Sequence, residues 1–252
     1  MSGLKRAFAL LTLAAVVNFG DARSAQKIIG GSMAAPGEFP YQVSLRWKGQ
    51  HLCGGSIIDE RHIVTAAHCI IPEVKEPFTD FDIMTGTNSN SGGQIHAVKA
   101  VFPHAEYNPS IEHDIAVVEL VEDIKFDDHQ NKINLPSNAT KSGVAVVATG
   151  WGLTNLQNPK PSKGLMKVSL FTLDSRECQL FASRFKISAH QICTFSAPGQ
   201  GVCMGDSGGP LALGNVLIGV VSYGLPCARG YPDVYTNVYS HVDWIKEKAG
   251  MS

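Results

Sequence analysis

Downstream of residue 27 the chain repeats one rhythm: short segments in which apolar residues alternate with polar ones or run together, punctuated by Gly, Pro, Asn and Ser. The stretches from Tyr41 to Arg46, Ile115 to Leu120, Val144 to Thr149 and Leu217 to Ser222 are rich in β-branched residues, and each predicts a strand. One segment alone carries a convincing helical period. Ser240 is placed to cap it, Asp243 falls at its third position, Val242, Ile245 and Ala249 share a face, and Gly250 ends it. From Asn155 to Lys163 two prolines sit among polar neighbours, which predicts a mobile surface loop. There is no internal repeat and no low-complexity tract. The expected fold class is all-β.

The N-terminus reads differently. Lys5 and Arg6 precede a mostly apolar stretch from Ala7 to Phe19, followed by small residues around Gly20 and Ala22, the three-part layout of a secretory signal cut after Ala22. The apolar stretch is shorter than the roughly 20 residues that span a bilayer, and no second candidate follows, so a secreted, extracellular protein without a membrane anchor is expected.

Composition narrows the reading further. The 252 residues suffice for one large β unit or two modest domains. A net charge of −1 with no run of like charges argues against a nucleic-acid partner, which needs a basic surface to neutralise phosphates. Cys53, Cys69, Cys178, Cys193, Cys203 and Cys227 form an even set downstream of the signal, suited to disulfides in an oxidising compartment, although spacing alone does not choose among the possible pairings. No Cys-x-x-Cys pair and no His-Glu-x-x-His run is present, so neither metal nor cofactor is expected. Asn138-Ala139-Thr140 is a glycosylation acceptor triplet.

Candidate chemistry begins at Gly205-Asp206-Ser207-Gly208-Gly209-Pro210, where glycines surround one serine and allow the backbone close to a substrate. A serine becomes a useful nucleophile when a base is adjacent and a third group holds the tautomer of that base. Of nine histidines, His68 stands out because it follows the apolar run Ile63-Val64-Thr65-Ala66-Ala67 and adjoins Cys69; the others read as ordinary surface or loop residues. Asp114 opens the apolar segment Ile115-Ala116-Val117-Val118, a costly place for an unpaired charge.

These three runs, in the order His, Asp, Ser, resemble the signatures of the chymotrypsin (trypsin-like) family. Ile28-Ile29-Gly30-Gly31, Cys53-Gly54-Gly55-Ser56, Gly150-Trp151-Gly152 and Ser222-Tyr223-Gly224 extend the likeness from Ile28 to Trp244. The resemblance implies two six-stranded antiparallel β-barrels, approximately 28–133 and 134–252, with a C-terminal helix and an active site between the barrels. It implies disulfides Cys53–Cys69, Cys178–Cys193 and Cys203–Cys227. It also implies a triad of His68, Asp114 and Ser207, with Ser222 behind Asp114 and the N–H groups of Gly205 and Ser207 as the oxyanion hole. Residues 23–27 become an activation peptide: a trypsin-like protease cuts after Lys27, and the new amino group of Ile28 pairs with Asp206. That peptide lacks cysteine, so it is expected to leave after the cut. The stretch from Thr85 to Gln94 carries no carboxylate, which argues against a calcium loop.

By the same resemblance Gly201, Val202, Met204, Ser222, Tyr223, Gly224 and Asp233 shape the specificity pocket. An uncharged floor at Gly201 and an open mouth at Gly224 favour large apolar or aromatic side chains. Asp233 departs from the glycine common in vertebrate members and is similar to certain insect chymotrypsins and crab collagenolytic proteases. It either turns away toward water or backbone, or faces inward and admits Lys and Arg. The expected partners are protein or peptide substrates, the activating protease and protein inhibitors, and the expected state is a monomer with a digestive role. Trypsin-like specificity is the rival within the class. An inactive homologue acting as a binding protein is the rival outside it.

Overall fold

The computed structural model describes residues 28–71, 73–108, 112–154, 159–181, 186–195, 197–224 and 227–251. The expected signal and activation peptides, Lys27 included, lie outside the described residues.

Six strands close the first barrel: β2 (Gln42–Trp47), β3 (Gln50–Ile57), β4 (His62–Thr65), β5 (Phe81–Thr85), β6 (Gln94–Pro103) and β7 (Ala116–Leu120), paired in the order β2-β3-β4-β7-β6-β5. The second is built from β8 (Ala145–Gly150), β9 (Met166–Leu173), β10 (Gln191–Phe195), β11 (Pro210–Leu213), β12 (Val216–Gly224) and β13 (Asp233–Asn237). Its order is β9-β10-β13-β12-β11-β8, and a β8–β9 pairing closes the ring. Closure leaves few unpaired edges, which stabilises a protein made of short strands. The two antiparallel barrels are those expected from the resemblance.

Strand patterning explains the cores. In β9, Met166, Val168, Leu170 and Thr172 are buried while alternate residues are less so, the period of two that a half-exposed strand imposes. In β7, Ala116, Val117 and Val118 are all buried, because the second face is covered too; hence its unbroken apolar run. The covered faces carry matched polar groups. Gln42 is buried between the barrels, where its Oε1 accepts a 2.6 Å hydrogen bond from Thr149 Oγ1.

Both ends of the described chain cross between barrels. The short strand β1 (Ser32–Met33) adds to β9 of the second barrel, and Ile28, fully buried, packs in that barrel's core. Helix α2 (Val242–Ala249) returns to the first barrel, burying Ile245 in its core cluster. Gly250 ends the helix in the left-handed conformation, as its position predicts, and donates its N–H to Glu247.

The helix start differs from expectation. His241 is the N-cap residue and no side chain caps it; the Ser240 hydroxyl instead donates to Asn237 O at 2.8 Å, one turn earlier. A short turn Tyr239–His241 precedes the helix and moves its first residue beyond the reach of Ser240. A second helix, α1 (Ser175–Phe181), has too few residues for its period to be read. Within 155–163, residues 155–158 are outside the described residues, whereas Ser162 is buried and donates its N–H to Trp151 O at 3.0 Å. That end of the expected surface loop is anchored. Disulfides join Cys53 to Cys69, Cys178 to Cys193 and Cys203 to Cys227. No described helix is long and apolar enough to cross a membrane.

Candidate active site

The barrels meet where Gly54 of β3 faces the loop before β11. Gly54 N donates to Ser207 O at 2.7 Å, and a Cβ on Gly54 would stand 2.8 Å from Gly209 Cα. Only glycine permits that approach, which brings Ser207 to the first barrel.

His68 stands in a 3-10 turn, Ala67–Cys69, at the end of β4, held by the Cys53–Cys69 disulfide. Asp114, just ahead of β7, is 1% exposed. Its Oδ2 lies 2.8 Å from His68 Nδ1 and 2.5 Å from Ser222 Oγ, and its Oδ1 accepts His68 N–H at 2.9 Å. Thr236 Oγ1 donates to its carbonyl at 2.6 Å. Burial pushes the Asp114 carboxyl up, but His68, the Ser222 hydroxyl and the His68 amide together hold it below the usual carboxylate range. An ionised carboxylate only accepts, so His68 carries its proton on Nδ1 and leaves the Nε2 lone pair free. Ser207 Oγ makes no hydrogen bond to that nitrogen in this structure, as is common before substrate binds.

Gly205 adopts φ +94°, and among the described residues neither its N–H nor that of Ser207 is taken by an acceptor. His51 was not singled out by its sequence surroundings, yet it fixes this loop. Its Nε2 lies 2.8 Å from Gly205 O and its Nδ1 lies 2.7 Å from Ser44 Oγ, so the neutral ring donates to the carbonyl and accepts from the hydroxyl. Burial pushes the His51 pKa down, keeping that neutral form. The reading of the remaining histidines as ordinary surface or loop residues is therefore corrected for His51: β2 and β3 bring it under the serine loop. Four more, His104, His113, His190 and His241, cluster beyond Asp114.

Asp206, next to the serine, is fully buried and accepts from Gly152 N at 2.8 Å and Cys203 N at 2.9 Å. Burial pushes its carboxyl up to about 6 against those two amides.

Beside Ser207 opens a cavity of about 210 Å³ lined by Val202, Met204, Ser207, Ser222, Tyr223 and Gly224, among others. Met204 is 64% exposed at its rim. Asp233 pairs with Gly224 across β12 and β13 and is 4% exposed. Its Oδ2 accepts Val202 N–H at 3.0 Å; a Cβ on Gly201 would fall 2.7 Å from Oδ2 and one on Gly224 3.0 Å from Oδ1. The carboxylate thus lies between the glycines expected to form floor and mouth, one oxygen held by backbone. Burial pushes it up to about 7, against the Val202 amide and with the charge of Asp206 adding to the rise.

A histidine tied to a buried aspartate and a serine flanked by glycines where two β-barrels meet are the parts that a serine endopeptidase uses, and the comparisons with known proteins show that class. The model of the family described as Trypsin matches residues 28–245. The chain is 39% identical over 223 residues to Chymotrypsin-2 of Vespa crabro, covering 87% of this chain and 99% of that protein. It is 37% identical over 238 residues to Trypsin 5G1 of Aedes aegypti, with coverage of 91% and 87%, and 33% identical over 248 residues to Trypsin II-P29 of Gallus gallus, with 97% and 98%. The chain belongs to the trypsin family.

Proposed function

We propose that this serine endopeptidase is exported behind a signal peptide of residues 1–22 and held inactive by residues 23–27. On this reading a trypsin-like protease cuts after Lys27, and the mature enzyme, 28–252, cleaves dietary protein after large apolar or aromatic residues. It acts as a secreted monomer open to protein inhibitors.

Ser207 Oγ attacks the scissile carbonyl while His68 Nε2 takes its proton, and Asp114 stays ionised to stabilise the imidazolium. The N–H groups of Gly205 and Ser207 receive the developing oxyanion. The acyl-enzyme forms as His68 returns the proton to the leaving amine, and water reverses the sequence. The buried carboxylate of Asp206 has only backbone amides as partners among the described residues, so the new ammonium of Ile28 would relieve an unpaired buried charge.

The observation that supports the specificity is the uncharged lining that Val202, Met204 and Gly224 give the cavity beside Ser207, with the buried Asp233 carboxylate directly behind Gly224. Aromatic side chains fill the mouth; a long Lys or Arg reaches the carboxylate, which gives a secondary trypsin-like activity. A peptide-library profile of the activated enzyme tests this. Strict preference for Arg and Lys, or for small residues, would overturn it.

A further inference from the structure

Beyond the reaction itself, an imidazole cluster joins distant parts of the chain. His104 follows β6 and His113 precedes Asp114, both on the first barrel; His190 precedes β10, and His241 opens α2. The His104 and His113 rings stack at 4.6 Å, His190 lies 4.2 Å from His113, and His241 lies 5.3 to 5.5 Å from the other three. One nitrogen from each of His104, His113 and His241 falls within 4.8 Å of the others, and His113 Nδ1 is 3.1 Å from His241 Nε2.

That last separation is close to the edge of a tetrahedral zinc site, where Zn–N bonds of about 2.0–2.1 Å place ligand nitrogens roughly 3.3 Å apart. The outer contacts suit ligation as well. His241 Nδ1 faces Asn237 O at 2.8 Å; a carbonyl only accepts, so the proton is on Nδ1 and the Nε2 lone pair points into the cluster. With the His241 lone pair on Nε2, His113 Nδ1 is the donor across the 3.1 Å contact; His113 Nε2, 3.5 Å from the exposed Glu106 carboxylate, is placed to take that proton when Nδ1 turns to a metal. Nδ1 of His190 is buried with no hydrogen-bond partner among the described residues. Three features oppose binding. The metal must displace the proton that His113 Nδ1 shares with His241 Nε2. His104 Nδ1 accepts the Glu106 amide at 3.2 Å, an exposed bond that the ring gives up or turns away from, and Lys248 adds positive charge near His104.

We propose that His104, His113 and His241 form a site for a divalent late transition metal, Zn²⁺, with a fourth position open beside His190. Imidazole donors select Zn²⁺ over the oxygen-seeking Ca²⁺ and Mg²⁺. The ion ties the segment leading into Asp114 to the start of α2, so its effect is to hold the far ends of the chain together and slow the unfolding that exposes a protease to its own kind.

The test uses the purified full chain, stripped with a chelator and kept with a serine-directed inhibitor to prevent autolysis. Calorimetric titration with ZnCl₂ at pH 7.5 should show one equivalent bound, and zinc at about 100 times its Kd should raise the melting midpoint by roughly 5–10 °C. CaCl₂ should do neither. His104→Asn and His241→Asn should each weaken zinc binding at least tenfold. His104 is only half-buried, so His104→Asn should melt like the parent without metal, and it decides the matter if His241→Asn does not fold. No binding at 100 µM zinc, or one equivalent bound with unchanged affinity by His104→Asn, as an ion on His68 would give, overturns the proposal.

Discussion

Asp233 should make substrate choice depend on pH. Its carboxyl is pushed up to about 7, so it is roughly one-tenth ionised at pH 6 and nine-tenths at pH 8. Only the ionised form pairs with a substrate ammonium or guanidinium, whereas an aromatic side chain does not need the charge. The ratio of kcat/KM for Arg to that for Phe substrates should therefore rise about tenfold from pH 6 to pH 8; taking the ratio cancels the titration of groups common to both reactions. Asp233→Asn keeps an acceptor for Val202 N–H and removes the charge, so the ratio should become flat and low. Stability gives an independent reading. The folded pKa lies above the ordinary 3.8, so the group's contribution is fully present below that value and is lost as pH rises through about 7. The full shift corresponds to something on the order of 4 kcal/mol. Asp233→Asn should accordingly melt higher than the parent at pH 8 and alike below pH 4. An Arg-to-Phe ratio constant from pH 6 to pH 8 in the parent, or unaltered in Asp233→Asn, would refute the reasoning.

Replacing Asp206 with Asn should leave a chain that is cut after Lys27 but remains poorly active against small ester substrates, and Lys27→Gln should fold normally yet stay uncut; full activity in either sinks the activation scheme. His51→Ala removes the donor to Gly205 O, so kcat should fall by about tenfold or more with little change in KM, measured on a Phe substrate. Gly201→Asp alone should be destabilised in thermal melts, because φ is +150° and its Cβ would approach Asp233 Oδ2 to 2.7 Å; pairing it with Asp233→Gly should restore much of the loss and favour basic substrates.

The strands, and His68, Asp114 and Ser207 as candidate residues, were legible because each is written locally. Ile63-Val64-Thr65 before His68 and the unbroken run after Asp114 announce buried strands, and the glycines around Ser207 announce a tight turn. Helix α1 was not legible, since seven residues give less than two full turns and its Asp174 cap, which accepts Arg176 N–H, resembles any turn aspartate. The histidines failed for a different reason. His51 and His241 are isolated along the chain, and no spacing pattern links either one to the groups it meets; only barrel closure sets His51 beneath Gly205, and only the return of α2 sets His241 against His113. The direction of Asp233 was likewise undecidable, because it depends on a cross-strand pairing with Gly224 fixed by the β12–β13 register.

The crossed ends of the chain bear on how the molecule comes apart. Ile28 and β1 lodge in the second barrel while Ile245 of α2 lodges in the first, so a nick in the connector near residues 133–134 would yield two fragments, each still gripping a piece of the other. Neither half is a self-sufficient module. The enzyme behaves mechanically like a buckle fastened at two points, and loosening one end strips apolar surface from the barrel it does not belong to.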